Sequence, residues 1–119
     1  MTGTETDLLT EDERAAVAEQ PASRRWLTGE LHRLQAFAGD DAPTDAERRL
    51  LVELARRADG RGIATATRRE LAAVVGIPER QIGHGIAWAE WRGSFHARRV
   101  SPSGQPQADR YRLNRWPRP

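Results

Sequence analysis

Cysteine is absent from the 119 residues, and so is lysine. Without thiols the chain has neither disulfides nor thiolate metal sites, which leaves the redox compartment open. Long apolar runs are missing too: none approaches the roughly 18 residues of a membrane span. The opening MTGTETDLLTEDER carries neither a basic flank nor an apolar segment, so no secretory signal is expected and the default compartment is the cytoplasm.

Catalytic signals are equally scarce. His32, His84 and His96 fall on different expected elements, at no spacing that suggests metal ligation. No glycine-rich loop follows a strand, since Gly83-His84-Gly85 falls in mid-helix. Asp40-Asp41 reads most simply as a soluble linker, and no nucleophile has a recognisable setting. We therefore expect no enzyme, no metal and no cofactor. No internal repeat is visible.

What the chain does have is a split of charge. The net charge of +2 combines −7 over residues 1–47 with +9 over residues 48–119. A basic half points to a polyanion and an acidic half to something else. All 19 bases are arginine, which pairs bidentately with phosphate and with guanine edges. A GC-rich genome also favours arginine, so the sign asymmetry is the stronger signal. The length and an apolar fraction of 38% suit one domain with a modest core.

Residues 1–9 are polar apart from Leu8-Leu9 and read as a disordered tail. Three capping boxes follow, Thr10/Glu13, Thr44/Glu47 and Thr67/Glu70. In each, the hydroxyl would accept from the glutamate amide while the carboxylate reaches back to the threonine amide. The first opens a short helix ending at Gln20 before Pro21. Residues 22–38 then carry Leu27, Leu31, Leu34 and Ala38 at helical spacing, flanked by Trp26, Glu30, Arg33 and Phe37. Together residues 10–38 form a helical arm, and 39–43 a linker. The second box opens a helix through Ala58, after which Ile63-Ala64-Thr65 suits a small strand.

Residues 67–93 read as two helices joined by a tight corner at Gly76-Ile77-Pro78. Leu71, Ala72, Val74 and Val75 give one apolar face, and Ile82, Ile86 and Ala89 another. Gly76 falls where a helix needs a left-handed residue, and Pro78 suits the first turn of the next. After Gly93 the period becomes two: Phe95 and Ala97 alternate with His96 and Arg98, Tyr111 and Leu113 with Arg110 and Arg112. Between them, residues 101–108 read as the polar tip of an antiparallel hairpin. Trp88, Trp91 and Trp116 are read as packing residues.

The small Ala72, Gly76 four positions on and Ile82 six after that, with Ile77 in the turn, resemble the winged helix-turn-helix family over residues 44–114. Helix, short strand, two helices and hairpin is that family's order. The resemblance implies a mainly α fold with a small β-hairpin (α+β), preceded here by the arm and followed by a basic tail, 115–119. It further implies a protein that binds double-stranded DNA, with the helix at 79–91 in the major groove. Base readers would be Glu79, Arg80, Gln81, Gly83 and His84. Phosphates would be held by Thr67, Arg68 and Arg69, and by Arg98, Arg99, Ser101, Ser103, Arg110 and Arg112 of the wing. Gly83 and Gly85 each cost a helix about 1 kcal/mol against alanine. Close approach to DNA and close packing within the fold both account for them.

Transcriptional regulation is the first expected use, in the nucleoid. A DNA-binding part in plasmid or phage replication or maintenance is the second, and a winged-helix protein-interaction module the third. An exposed apolar stripe is costly for a monomer. Trp26, Leu27, Leu31, Leu34 and Phe37 are therefore expected to form a homodimer interface or dock a protein partner, unless the arm folds back over its own domain.

Overall fold

The computed structural model describes residues 8–98 and 108–118. Its elements are α1 (Glu11–Ala16), α2 (Pro21–Leu34), a 3-10 turn (Gly39–Asp41), α3 (Asp45–Arg57), β1 (Ile63–Ala66), α4 (Arg68–Val75), α5 (Glu79–Trp91), β2 (Phe95–Arg98) and β3 (Asp109–Leu113). The protein is thus α+β, with a small antiparallel sheet in the order β1-β3-β2. Arg99, Ser101 and Ser103, with the rest of the hairpin tip and the first seven residues, lie outside the described residues.

All three capping boxes form, at α1, α3 and α4. At α4 the Glu70 amide donates to Thr67 Oγ1 over 3.0 Å, and the Thr67 amide to Glu70 Oε1 over 2.8 Å. These hydrogen bonds hold the Glu70 carboxyl below the ordinary carboxylate range. At the other end Gly76 takes φ +83°, and its amide and that of Ile77 both donate to the Ala72 carbonyl. A side chain would be strained there. Pro78 sits one residue earlier than the sequence suggests, at the N-cap of α5.

The arm differs more. Helix α1 stops at Ala16, four residues before Gln20, and Val17, just beyond it, is buried. The Gln20 side-chain Nε2 then donates to Ser23 Oγ and to the Ala58 carbonyl. Helix α2 ends at Leu34, short of residue 38, because the amides of Ala36 and Phe37 bond three residues back and tighten the chain. Leu9, placed with the tail by its polar surroundings, is only 4% exposed and belongs to the core.

That core runs through the whole chain. Trp26, Leu27, Leu31 and Leu34 are buried with Leu50, Leu51, Leu54, Leu71, Ile82, Phe95 and Tyr111 in one cluster, and Phe37 packs half-buried at its edge. This corrects the expectation of a dimerisation stripe: the arm's apolar side is consumed by its own domain. Polar contacts clasp it there. Trp26 Nε1 donates to the Asn114 carbonyl at 2.6 Å. The Glu30 carboxylate, 3% exposed, pairs with Arg33 on its own helix and with Arg115 beyond β3, at 2.9 Å each. Arg115 takes φ +61° and also donates to the Gly93 carbonyl. The fold thus ties its first third to its last few residues.

Candidate nucleic-acid interface

The sheet alternates as the two-residue period requires. Tyr111 and Leu113 of β3 point into the core, with Phe95 edge-on to Tyr111 at 5.4 Å. The opposite face carries Arg110 and Arg112. Their partners across β2 are Arg98 opposite Arg110 and His96 opposite Arg112. Directly opposed like charges destabilise a sheet. Arg98, Arg110 and Arg112 are all exposed, and among the described residues none of them has an acidic partner. Among the described residues two carboxylates lie beside the ladder: Asp109, which opens β3 and pairs with Arg68, and Glu90 of α5, 3.7 Å from His96 Nδ1 and itself accepting the Ala97 amide. Among the described residues the three arginines thus form a cationic surface with no carboxylate paired to them.

Helix α5 buries Ile82, Ile86 and Ala89, so Glu79, Arg80, Gln81, His84, Ala87, Trp88 and Trp91 are exposed on its outer side. Arg80 has no acidic partner among the described residues, whereas Glu79 lies 3.6 Å from Arg69 in an exposed pair. Such a pair contributes well under ~1 kcal/mol, so both groups stay available to a ligand.

Three expected contact residues, Arg68, Gly83 and Thr67, also have partners within the fold. Arg68 runs from the start of α4 across Gly83 toward Asp109, with Nε 3.8 Å from the carboxylate. A Cβ on Gly83 would sit 3.0 Å from Arg68 Nη1. The end of a partly exposed arginine thus lies over Gly83, and close packing and close approach to DNA both still account for this glycine. Arg68 is partly neutralised as well. Thr67 Oγ1 accepts the Glu70 amide in the α4 cap, which leaves its O–H able to donate. Gly85 is unlike Gly83: the nearest atom to a Cβ there is Leu50 Cδ2 at 4.0 Å, an ordinary contact.

Beside α5 lies a groove of about 660 Å³ that the sequence does not announce. Its lining includes Gln81, His84, Gly85 and Trp88 of α5, Ala46 and Leu50 of α3, Ile77 of the corner, and Asp40. Arg92 closes one end. Its guanidinium, 3% exposed, is paired with Glu47 and donates through Nε to the Asp41 carbonyl at 2.8 Å. Trp88 lies over it, 5.3 Å from ring centroid to Cζ. Glu47 thereby serves the α3 cap and this buried pair together. Trp91 contacts Trp88 edge-on at 5.4 Å and Phe37 at 6.0 Å, yet is 60% exposed. The tryptophans read as packing residues are thus half on the surface.

Among the described residues no group of three or more histidines or carboxylates is arranged to hold a metal ion, and no helix is long and apolar enough to cross a membrane. No family model, no curated protein and no solved structure matches the chain.

Proposed function

We propose that this protein is a winged helix-turn-helix protein that binds double-stranded DNA, with transcriptional regulation as its use. The observation that carries the proposal is the Arg98–Arg110–Arg112 ladder. A fold does not juxtapose like charges across strands without cost, and a phosphate backbone is the partner that offsets it. Two further features agree with it: the corner closed by left-handed Gly76, and the exposed Arg80, Gln81 and His84 on the helix that follows.

In this reading Arg80 pairs with guanine, Gln81 with adenine, and His84 with a base or phosphate. Arg69 and the sheet arginines hold phosphates and set the register. Gly83 keeps the helix surface open beside these readers, and Arg68, turned partly toward Asp109, stands near the phosphate backbone. A role in anchoring replication or maintenance machinery on DNA would use the same surface. Selection of bound fragments from a random duplex pool tests the reading. A recovered motif that Arg80→Ala blurs at one position supports it. No enrichment over input would overturn it.

A further inference from the structure

The outer side of α5 is too apolar at its C-terminal half for a nucleic-acid surface. Trp88 and Trp91 are 44% and 60% exposed, and the cation against the Trp88 ring, Arg92, is buried and paired with Glu47. Gly85 is a second anomaly. Nothing in the chain's own packing excludes a methyl group there, and glycine costs the helix about 1 kcal/mol. A third feature is the spacing of unpaired charge. Arg80 stands at the start of α5, and the Asp40–Asp41 turn is held at its end by Arg92. The two lie twelve residues apart along the helix, about 18 Å.

We propose that the occupant of this face is a second copy of the chain, bound by antiparallel pairing of α5 with α5 about a two-fold axis beside Ile86. In that register each Arg80 meets the other copy's Asp40–Asp41 turn, a charge match made twice by the symmetry. Gly85 and Ala87 lie on opposite flanks of the contact face, so a small residue at each edge leaves room for the partner helix. His84 meets Trp88. Trp91 faces Gln81 and enters the apolar end of the other copy's groove, over Ala46, Leu50 and Ile77. Knob and hole lie side by side on one surface, as a self-complementary interface needs.

The two tryptophans expose roughly 260 Å² per copy, taking about 250 Å² for each whole side chain. Stable interfaces bury at least ~600 Å² per partner, so the rest comes from the helix and groove walls and the dimer is weak. It has one consequence that rests on the proposed function. The dimer covers Arg80, Gln81 and His84, so it is a form that cannot read DNA.

Sedimentation velocity without DNA, from ~1 µM to ~1 mM protein, tests the dimer by itself. The wild-type mass should climb toward twice that of the monomer. Ala87→Glu, which sets two carboxylates at the axis, should remain monomeric with an unchanged circular-dichroism melt. Because the chain has no cysteine, Ala87→Cys should cross-link on oxidation, whereas Ala15→Cys, exposed on α1, should not. A wild type that stays monomeric throughout, or an Ala87→Glu protein that associates like wild type, overturns the proposal. Masking is read with duplex DNA. Trp91→Ala should bind more tightly than wild type only at concentrations where wild type is dimeric, and equal binding there overturns the masking. A dimer that forms in a protein with no DNA affinity upholds the interface and removes the DNA reading.

Discussion

Replacing Glu30 by glutamine keeps the shape of the clasp and removes its charge. The carboxylate is 3% exposed and accepts four guanidinium hydrogen bonds, from Nε and Nη2 of Arg33 and of Arg115, at 2.9 to 3.3 Å. Glutamine turns an amide toward those donors and leaves two arginines without a counter-charge. Breaking a fully buried pair costs about 3–5 kcal/mol. Here the arginines are 29% and 49% exposed and can regain water, which lowers the expected cost to about 2–3 kcal/mol. For a domain of this size that corresponds to a fall in Tm of roughly 8–15 °C. Thermal and urea melts read it, with Glu19→Gln, at an exposed site, as a control within about 0.5 kcal/mol. The loss should be independent of protein concentration, since the arm packs within its own chain. A variant as stable as wild type would refute the clasp. A loss that vanished at high protein concentration would return the arm to dimerisation.

Acid should weaken the fold in a predictable window. Hydrogen bonds from Arg48 hold the Glu13 carboxyl below its ordinary value, against a smaller effect of burial. At Glu53 burial acts upward, and the hydrogen bonds and charges of Arg56 and Arg57 together bring the net shift downward. A depressed folded-state pKa contributes stability above the unfolded value and loses it as pH falls through the folded one. Stability should therefore be flat near neutrality and decline below about pH 4.3, and Glu13→Gln should shallow that decline in pH-dependent urea melts. The helical glycines should separate from the turn glycines. Gly85→Ala should stabilise the monomer by about 0.5–1 kcal/mol, whereas Gly62→Ala, at φ +81° and with a Cβ 2.5 Å from the Trp116 ring, should destabilise it by more than 1 kcal/mol.

Local chemistry was legible in the sequence and long-range pairing was not. The three Thr-x-x-Glu boxes, the left-handed Gly76 and the two-residue period of the strands each follow from residues within one turn or one strand. The stripe of Trp26, Leu27, Leu31 and Leu34 was equally plain, but its destination was not. An apolar helix face looks the same whether it meets its own core or another molecule. What decides it is Glu30 meeting Arg115, 85 positions away, and Trp26 meeting Asn114, 88 away. What lies over Gly83 likewise needed the path of the Arg68 side chain. Arg92 carried no pattern at all, since its partners Glu47 and Asp41 lie 45 and 51 residues back. The cationic ladder lies between these extremes. Alternation gave each strand its arginine face, and the register placed Arg98 opposite Arg110.

The most direct test of DNA binding through that ladder is the salt dependence of affinity for duplex DNA, measured for wild type and for the Arg98→Ala/Arg110→Ala/Arg112→Ala variant. Wild type should give a log–log slope of roughly −4 to −7, for about five to eight phosphates, and the variant a slope shallower by about 3. A flat wild-type response, or a variant whose slope equals that of wild type, would contradict the account.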